Sequence, residues 1–292
     1  MYNNVRMKNI VIIVPQNDPE AILISQLAEK LGLPVIKSRQ AHGASVDKGR
    51  DFVAAVKEGG YKRVVIVEMP GLKTESELKK SGVKVEIIDH HNYDELDRAH
   101  DTKTGKLLPS SLEQFLKKFR IDDKKLKALG FNPLLVRGTG ALDRGFIWAL
   151  QKEEFSKEEI KQVLTYQKSL TASVREIKDE AKKDAVAQQA WEKREKWQDF
   201  FIVTDSSAQG LRGRVSFVVA EERGEPTPLI IVEKKRGFIY VQEADYAKAL
   251  LRYFGGFTFG MDRNWGYRNM KGKKRVSLEK VKAFLQDSLV SQ

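Results

Sequence analysis

The sequence predicts an α/β protein: a mostly parallel, doubly wound sheet domain, a long helical connector and a smaller α/β C-terminal domain. Three observations carry this reading. Short, unbroken apolar runs alternate with segments of helical period through the first third of the chain. Residues 151–198 contain neither glycine nor proline. Beyond Asp199, apolar runs recur between polar or glycine-bearing turns. The corresponding boundaries are 1–150, 151–198 and 199–292.

The elements follow in order. Ile10-Val11-Ile12-Ile13-Val14, bounded by Pro15, reads as a strand buried on both faces. A helix near 20–31 places Ile22, Leu23, Leu27, Ala28 and Leu31 on one face. A short strand at Pro34-Val35-Ile36, a helix near 46–58 and strands at 64–67 and 84–88 come next. Such alternation argues for a parallel sheet wound with helices. Residues 92–130 are polar and lysine-rich, with Leu112, Phe115, Leu116 and Phe119 forming an amphipathic stretch assigned to the core.

In the connector, Ser156 and Glu159 make a capping box, and Phe155 with Ile160 a hydrophobic staple. Ile160, Val163, Leu164, Leu170, Val174, Ile177 and Ala181 recur at helical spacing. The segment reads as a long helix, broken at most once, that joins two domains across a cleft. A helix packed wholly on the first domain is the alternative. Strands are then expected at 200–203, 215–219, 229–232 and 238–241, with a hairpin turn at Lys234-Lys235-Arg236-Gly237. A helix near 243–253 precedes Gly255-Gly256-Phe257-Thr258-Phe259-Gly260.

At 292 residues and 41% hydrophobic, the chain can bury a sizeable core as one large or two modest domains. No apolar run is long enough to span a bilayer. The apolar run after Met1–Lys8 is too short for the core of a signal peptide. The absence of cysteine excludes disulfides and thiolate metal sites and is compatible with a cytoplasmic protein. A formal net charge of +12 favours an anionic partner such as nucleic acid, nucleotides or polyphosphate.

The chemistry concentrates at strand ends. Val85-Glu86-Ile87-Ile88 runs directly into Asp89-His90-His91, which holds two of the chain's four histidines. A carboxylate and two imidazoles are costly to bury unless paired or metal-bound, and together they suit a divalent cation. Taken alone, the tripeptide also reads as a polar turn. The first strand leads to Asp18 and Glu20, the strand at 64–67 ends in Glu68, and a glycine-rich stretch at 138–145 carries Asp143. Open parallel α/β sheets place their ligands at the carboxyl ends of strands. Asp18 also reads as the cap of the helix near Glu20, and Asp143 as a turn residue.

In this order of motifs the chain resembles the DHH phosphoesterase superfamily, which includes RecJ-type exonucleases, nano-RNases, cyclic-dinucleotide phosphodiesterases and manganese pyrophosphatases. The resemblance spans about residues 8–150 by motif and extends more loosely into the C-terminal part. It implies that Asp18, Glu20, Glu68, His90 and Asp143 hold two divalent ions, manganese first and magnesium next, with Glu68 bridging them. It makes Asp89 and His91 the catalytic candidates, Asp89 as support and His91 facing the substrate phosphate. The chain departs from the family pattern at four places. Val14 stands where many members carry a histidine, and Glu20 and Glu68 replace aspartates. The C-terminal part resembles the family's small substrate-binding (DHHA1-like) domain, but no histidine follows Gly255-Gly256.

The segment from Asp262 to Arg275 interleaves aromatics with cations. Arg263 and Arg268 are read as phosphate contacts, Trp265 and Tyr267 as base-stacking faces, and Gly255 and Gly256 as backbone open to a phosphate. Packed aromatics with solvated cations are the competing reading. The expected function is a metal-dependent phosphoesterase acting on phosphodiester or phosphomonoester bonds of short oligonucleotides, cyclic dinucleotides or nucleoside phosphates. The alternative is a non-catalytic relative that binds single-stranded nucleic acid or nucleotide. A phosphate-containing partner, no membrane, a cytoplasmic location and a homodimeric assembly complete the expectation.

Overall fold

A computed structural model of the chain describes residues 9–40, 44–48, 51–93, 96–172 and 177–290. Met1–Lys8 and Val174, both used in the sequence reading, lie outside the described residues. The chain divides into two compact units: residues 1–143 with 165–174, and residues 144–164 with 175–292.

In the first unit, strands β1 (Ile10–Pro15), β2 (Val35–Ser38), β3 (Arg63–Val67) and β4 (Lys84–Ile88) pair in parallel in the order β2-β1-β3-β4. Every residue of β1 is buried. Ile10, Ile12 and Val14 enter one core with Leu23 and Leu27 of helix Pro19–Lys30 and Phe115 of helix Ser111–Lys118. Val11 and Ile13 enter another with Phe52, Val56 and Leu78 of helices Phe52–Glu58 and Leu72–Lys80. Cover on both faces explains why the strand is apolar without alternation. The chain steps from β1 to β2 on one side and then to β3 on the other. The carboxyl ends of β1 and β3 therefore flank a topological switch point.

Two short strands after β4, β5 (Asn92–Tyr93) and β6 (Leu96–Asp97), pair antiparallel. The second unit carries a six-stranded sheet. Strands β7 (Glu195–Trp197), β8 (Phe200–Asp205), β9 (Leu229–Glu233), β10 (Phe238–Gln242), β11 (Phe257–Phe259) and β12 (Asn264–Arg268) lie in the order β11-β12-β10-β9-β8-β7. β8 and β9 are parallel and the other pairs antiparallel. Helices Ala247–Phe254 and Leu278–Val290 cover one face, burying Leu250, Val281 and Leu285. Helices Ile177–Glu192 and Arg212–Arg223 pack on the other through Trp191, Val215 and Val219. Among the described residues no helix is long and apolar enough to cross a membrane.

Local signals fared well. The capping box forms, the Glu159 N–H donating to Ser156 Oγ at 3.2 Å and the Ser156 N–H to Glu159 Oε2 at 2.8 Å. The hairpin turn between β9 and β10 forms as well, with Gly237 at φ 71°.

Two readings need correction. Residues 215–219, read as a strand, lie inside helix Arg212–Arg223. An unbroken apolar run this short cannot separate strand from buried helix by period, and packing on the second sheet decides it. Asn264–Arg268, read for its aromatics and cations with no element assigned, is an interior strand. The connector is two helices, Lys157–Ala172 and Ile177–Glu192, whose residues divide between the units. Tyr166 and Leu170 pack into the first unit's core, and helix Pro133–Lys152 breaks at Gly145 and Phe146, the latter at φ 52°.

Candidate metal centre

Asp18 ends the loop after β1 and caps helix Pro19–Lys30, accepting the Ala21 N–H at 2.8 Å. Glu20 then sits in the first helical turn, fully buried, and its Oε1 accepts the Leu112 N–H at 2.8 Å. That amide belongs to the first turn of helix Ser111–Lys118, whose positive dipole end favours a carboxylate. Glu68 follows β3 in a left-handed conformation, φ 50°, with its N–H donating to Ile88 O at 3.0 Å. The turn leaves the side chain 3% exposed at the strand end.

His90 is the hub. Its Nε2 lies 2.8 Å from Asp143 Oδ2 and 3.6 Å from both Glu20 Oε2 and Glu68 Oε1. Donor atoms of Glu20, Glu68, His90 and Asp143 all lie within 4.8 Å of one another, as do those of Glu68, His90 and His91. Asp18 belongs to neither set among the described residues. Asp89 is 3% exposed and its Oδ1 lies 2.9 Å from His91 Nδ1 and accepts the His91 N–H at 3.0 Å. Val14 is fully buried among aliphatic side chains.

The electrostatics match this geometry. Burial, then the Asp143 and Glu68 charges, push the Glu20 carboxyl well above its ordinary range. Burial also opposes ionisation of Glu68, but His90 and His91 beside it hold its carboxyl well below the ordinary range. Burial disfavours a charged His90, yet the Asp143 and Glu68 carboxylates raise its pKa to about 10. Three converging carboxyl groups thus select a positive charge at this point. Glu20 Oε2 and both Glu68 carboxylate oxygens are buried without a partner in hydrogen-bonding geometry. Such orphaned atoms are costly unless a cation collects them. Oxygen and imidazole donors with no sulfur suit manganese or magnesium, so the residues fit a divalent ion.

The sequence reading missed the supports of this centre. Gln114 Nε2 donates to the backbone oxygen of Asp89 at 2.8 Å. A capping box of Ser110 and Glu113 sets the helix end that meets Glu20. Gly140 lets helix Pro133–Lys152 close on that end, since a Cβ there would lie 2.8 Å from Ser110 Oγ. Of these only the Ser-x-x-Glu spacing had a legible signal.

The residues proposed for substrate in the second unit do not gather in the same way. Trp265 is fully buried, its Nε1–H donating to Gly255 O at 2.7 Å, so its ring offers no face to a base. Tyr267, 8% exposed, lies beside it in the core and donates through its hydroxyl to Lys274 O at 2.6 Å. Gly255 adopts φ 76°, ψ −153°, a region essentially reserved for glycine. Gly256 at φ 96° lies so close to β12 that a Cβ would meet Gly266 O at 2.3 Å. Both glycines are explained by the turn into β11. Arg263 lies 4.1 Å over the Trp148 ring and pairs with Asp245. Arg268 alone of the six points an exposed charge outward.

Glu243 was not anticipated. It is 5% exposed, and burial pushes its carboxyl up to about 8, with Arg263 pulling the other way. Folded protein therefore holds a proton there that unfolded chain releases near its ordinary value of 4.5. Stability should fall by about 1.4 kcal/mol per pH unit across that window and level off above it. Glu243→Gln removes the loss, so its melting-temperature advantage over the parent should widen from pH 5 to pH 9. An advantage independent of pH would show that Glu243 does not titrate in this range.

No family model matches the chain, and no curated protein matches it. Several solved structures are similar to it. An exopolyphosphatase-related protein from Bacteroides fragilis aligns at 10% identity and TM-score 0.44, covering 99% of this chain and 95% of that one. The pGpG-specific phosphodiesterase PggH of Vibrio cholerae aligns at 9% identity and TM-score 0.40, covering 98% of each. Exonuclease RecJ bound to manganese aligns at 14% identity and TM-score 0.37, covering 95% and 88%. The fold and the site together define an α/β protein with an acid–imidazole centre able to hold a divalent cation.

Proposed function

We propose that this chain is a divergent DHH-type, divalent-metal-dependent phosphoesterase acting on phosphodiester or phosphomonoester bonds of short oligonucleotides, cyclic dinucleotides or nucleoside phosphates. One observation carries the reading: Glu20, Glu68, His90 and Asp143 converge beside the switch point of a parallel sheet with buried, unsatisfied donor atoms. Glu20, Glu68, His90 and Asp143 would hold one ion. Glu68 also belongs to the set with His91, and its two oxygens make it the residue able to serve a second. Bound there, manganese or magnesium supplies polarisation of a phosphoryl oxygen and a water acidic enough to attack it.

The chain's own groups do the rest. The Leu112 N–H fixes one Glu20 oxygen and thereby aims the other at His90. Asp89 turns His91 so that Nδ1 faces the carboxylate, and the opposite ring nitrogen is the one that meets a phosphate oxygen or passes a proton. Neither role requires the histidine that Val14 replaces.

The test is a manganese titration of the full chain followed by hydrolysis of bis(p-nitrophenyl) phosphate and a dinucleotide. Saturable binding with metal-dependent turnover is expected. Binding without turnover on any phosphoester would leave a non-catalytic metal-binding relative, and absence of binding would sink the centre altogether.

A further inference from the structure

Between β12 and helix Leu278–Val290 the chain leaves the sheet as a closed loop. Asn269 shuts its base: Nδ2 donates to Val276 O at 2.9 Å, and the Val276 N–H donates to Asn269 Oδ1 at 2.8 Å. The Asn269 N–H is itself tied to Gly237 O at 2.7 Å. Within the loop the Lys273 N–H donates to Met270 O at 3.1 Å, and Gly272 makes the turn at φ 82°. Lys274 O accepts the Tyr267 hydroxyl, and Arg275 O accepts Lys280 Nζ at 3.2 Å. Every residue from Met270 to Arg275 is nevertheless exposed. The fold pins this loop by its backbone and leaves its side chains to solvent.

Those side chains are mostly cations. Lys271, Lys273, Lys274 and Arg275 follow Met270, and among the described residues none of the four pairs with a carboxylate. Beside the loop an open groove of about 770 Å³ runs between helices Ala247–Phe254 and Leu278–Val290. Lys274 and Lys280 line it together with Tyr253, Phe254 and Phe284. Tyr253, 62% exposed, and Met270, 42% exposed, thus add apolar surface to a cationic patch. The Tyr253 ring is already engaged: Phe284 lies 4.9 Å from it, tilted by 39°, and Lys274 Nζ stands 5.9 Å over it. Glu279 and Asp287 are the carboxylates of the adjoining helix, so the patch keeps a surplus of positive charge.

We propose that this loop, with the adjoining rim of the groove, docks on a membrane surface rich in acidic phospholipid. Lysine ammonium groups are compact point charges, which suits a diffuse anionic plane better than ordered single phosphates. Met270 supplies an apolar group that enters the interface while the cations stay at the headgroups. Single-stranded nucleic acid is the other polyanion that the charge admits. It binds largely through open ring faces, and this loop has no aromatic of its own, while its neighbour Tyr253 is taken up by Phe284 and Lys274. The sequence reading expected no membrane partner because no run spans a bilayer, but a surface contact needs no span. The proposal rests on residues of the second unit alone and stands apart from the phosphoesterase reading, which concerns the metal centre.

The test is cosedimentation of the full chain with phosphatidylcholine vesicles carrying about 30% phosphatidylserine, in EDTA so that the metal centre plays no part. Parent protein should sediment with these vesicles and stay in solution with pure phosphatidylcholine. Lys273→Gln should weaken partitioning about fivefold, and its combination with Lys274→Gln about 25-fold, at an unchanged melting temperature. Met270→Ser should weaken it about threefold by removing the apolar anchor. Lys57→Gln, an equal loss of charge on an exposed residue of helix Phe52–Glu58, should leave it unchanged. The proposal is overturned if the parent does not sediment, or if Lys57→Gln loses as much as Lys273→Gln. Release from the vesicles by an equal concentration of inorganic phosphate would overturn it too, since a free anion would then suffice. So would an oligouridylate that binds more tightly than the vesicles and loses affinity on the same lysine substitutions, which would make the loop a nucleic-acid contact.

Discussion

Replacing His90 with alanine is expected to lower manganese affinity about 100-fold or more and to remove metal-dependent hydrolysis with it. Loss of an outer residue that merely orients a ligand typically costs about 10–100-fold, and His90 is the atom on which the centre converges. Its Nε2 is the shared neighbour of Glu20, Glu68 and Asp143. Without it those carboxyl groups face one another and relax by taking up protons, which competes with metal. Parent protein should melt progressively higher as manganese is added, gaining about 2.7 kcal/mol at a concentration 100 times Kd, whereas the variant should not respond. Asp89→Asn provides the graded control, since it disturbs only the carboxylate that orients His91. A variant at position 90 that still binds manganese and turns over substrate like the parent would mean that the ion is held elsewhere.

Trp265→Ala is expected to act through folding and not through ligand contact. The indole is fully buried between the second sheet and its helices, tilted against Phe254 and stacked on Tyr267. Truncating a buried tryptophan typically costs about 3–5 kcal/mol, and here the Gly255 carbonyl also loses its donor. That is a large share of the stability of an ordinary domain. Denaturant unfolding followed by far-UV circular dichroism should show an early transition, with affinity for oligonucleotide and inorganic pyrophosphate falling equally. Parent-like unfolding with a selective loss of base-containing ligands would instead make Trp265 a stacking residue.

The residues of the centre were legible because they break the pattern around them. An apolar strand that ends in Asp89-His90-His91, and another that ends in Glu68, place polar groups where chain direction alone carries them to one edge of a parallel sheet. Glu20 and Asp143 came with them by order of motifs. Asp18 did not, because its position before Pro19 makes it first a helix cap, and the Ala21 amide is nearer to hand. The aromatics Trp265 and Tyr267 were misread for a related reason. Residue types were read there without a register, and only pairing of β12 with β10 and β11 decides which alternate side chains go to the core.

Local physics written in consecutive residues was therefore set by the sequence by itself: the strands buried on both faces, the Ser156–Glu159 capping box, the Gly237 turn and the acid–imidazole clustering at strand ends. Tertiary structure alone decided that residues 215–219 are helical, that Trp265 is core, that the Leu112 N–H donates to Glu20 across the unit, and that Phe238, Phe257 and Phe259 share a face with three arginines. Those outcomes depend on partners far apart in the chain. A short apolar run or an aromatic–arginine alternation has nearly the same intrinsic preference in either arrangement, so burial against a distant surface tips the balance.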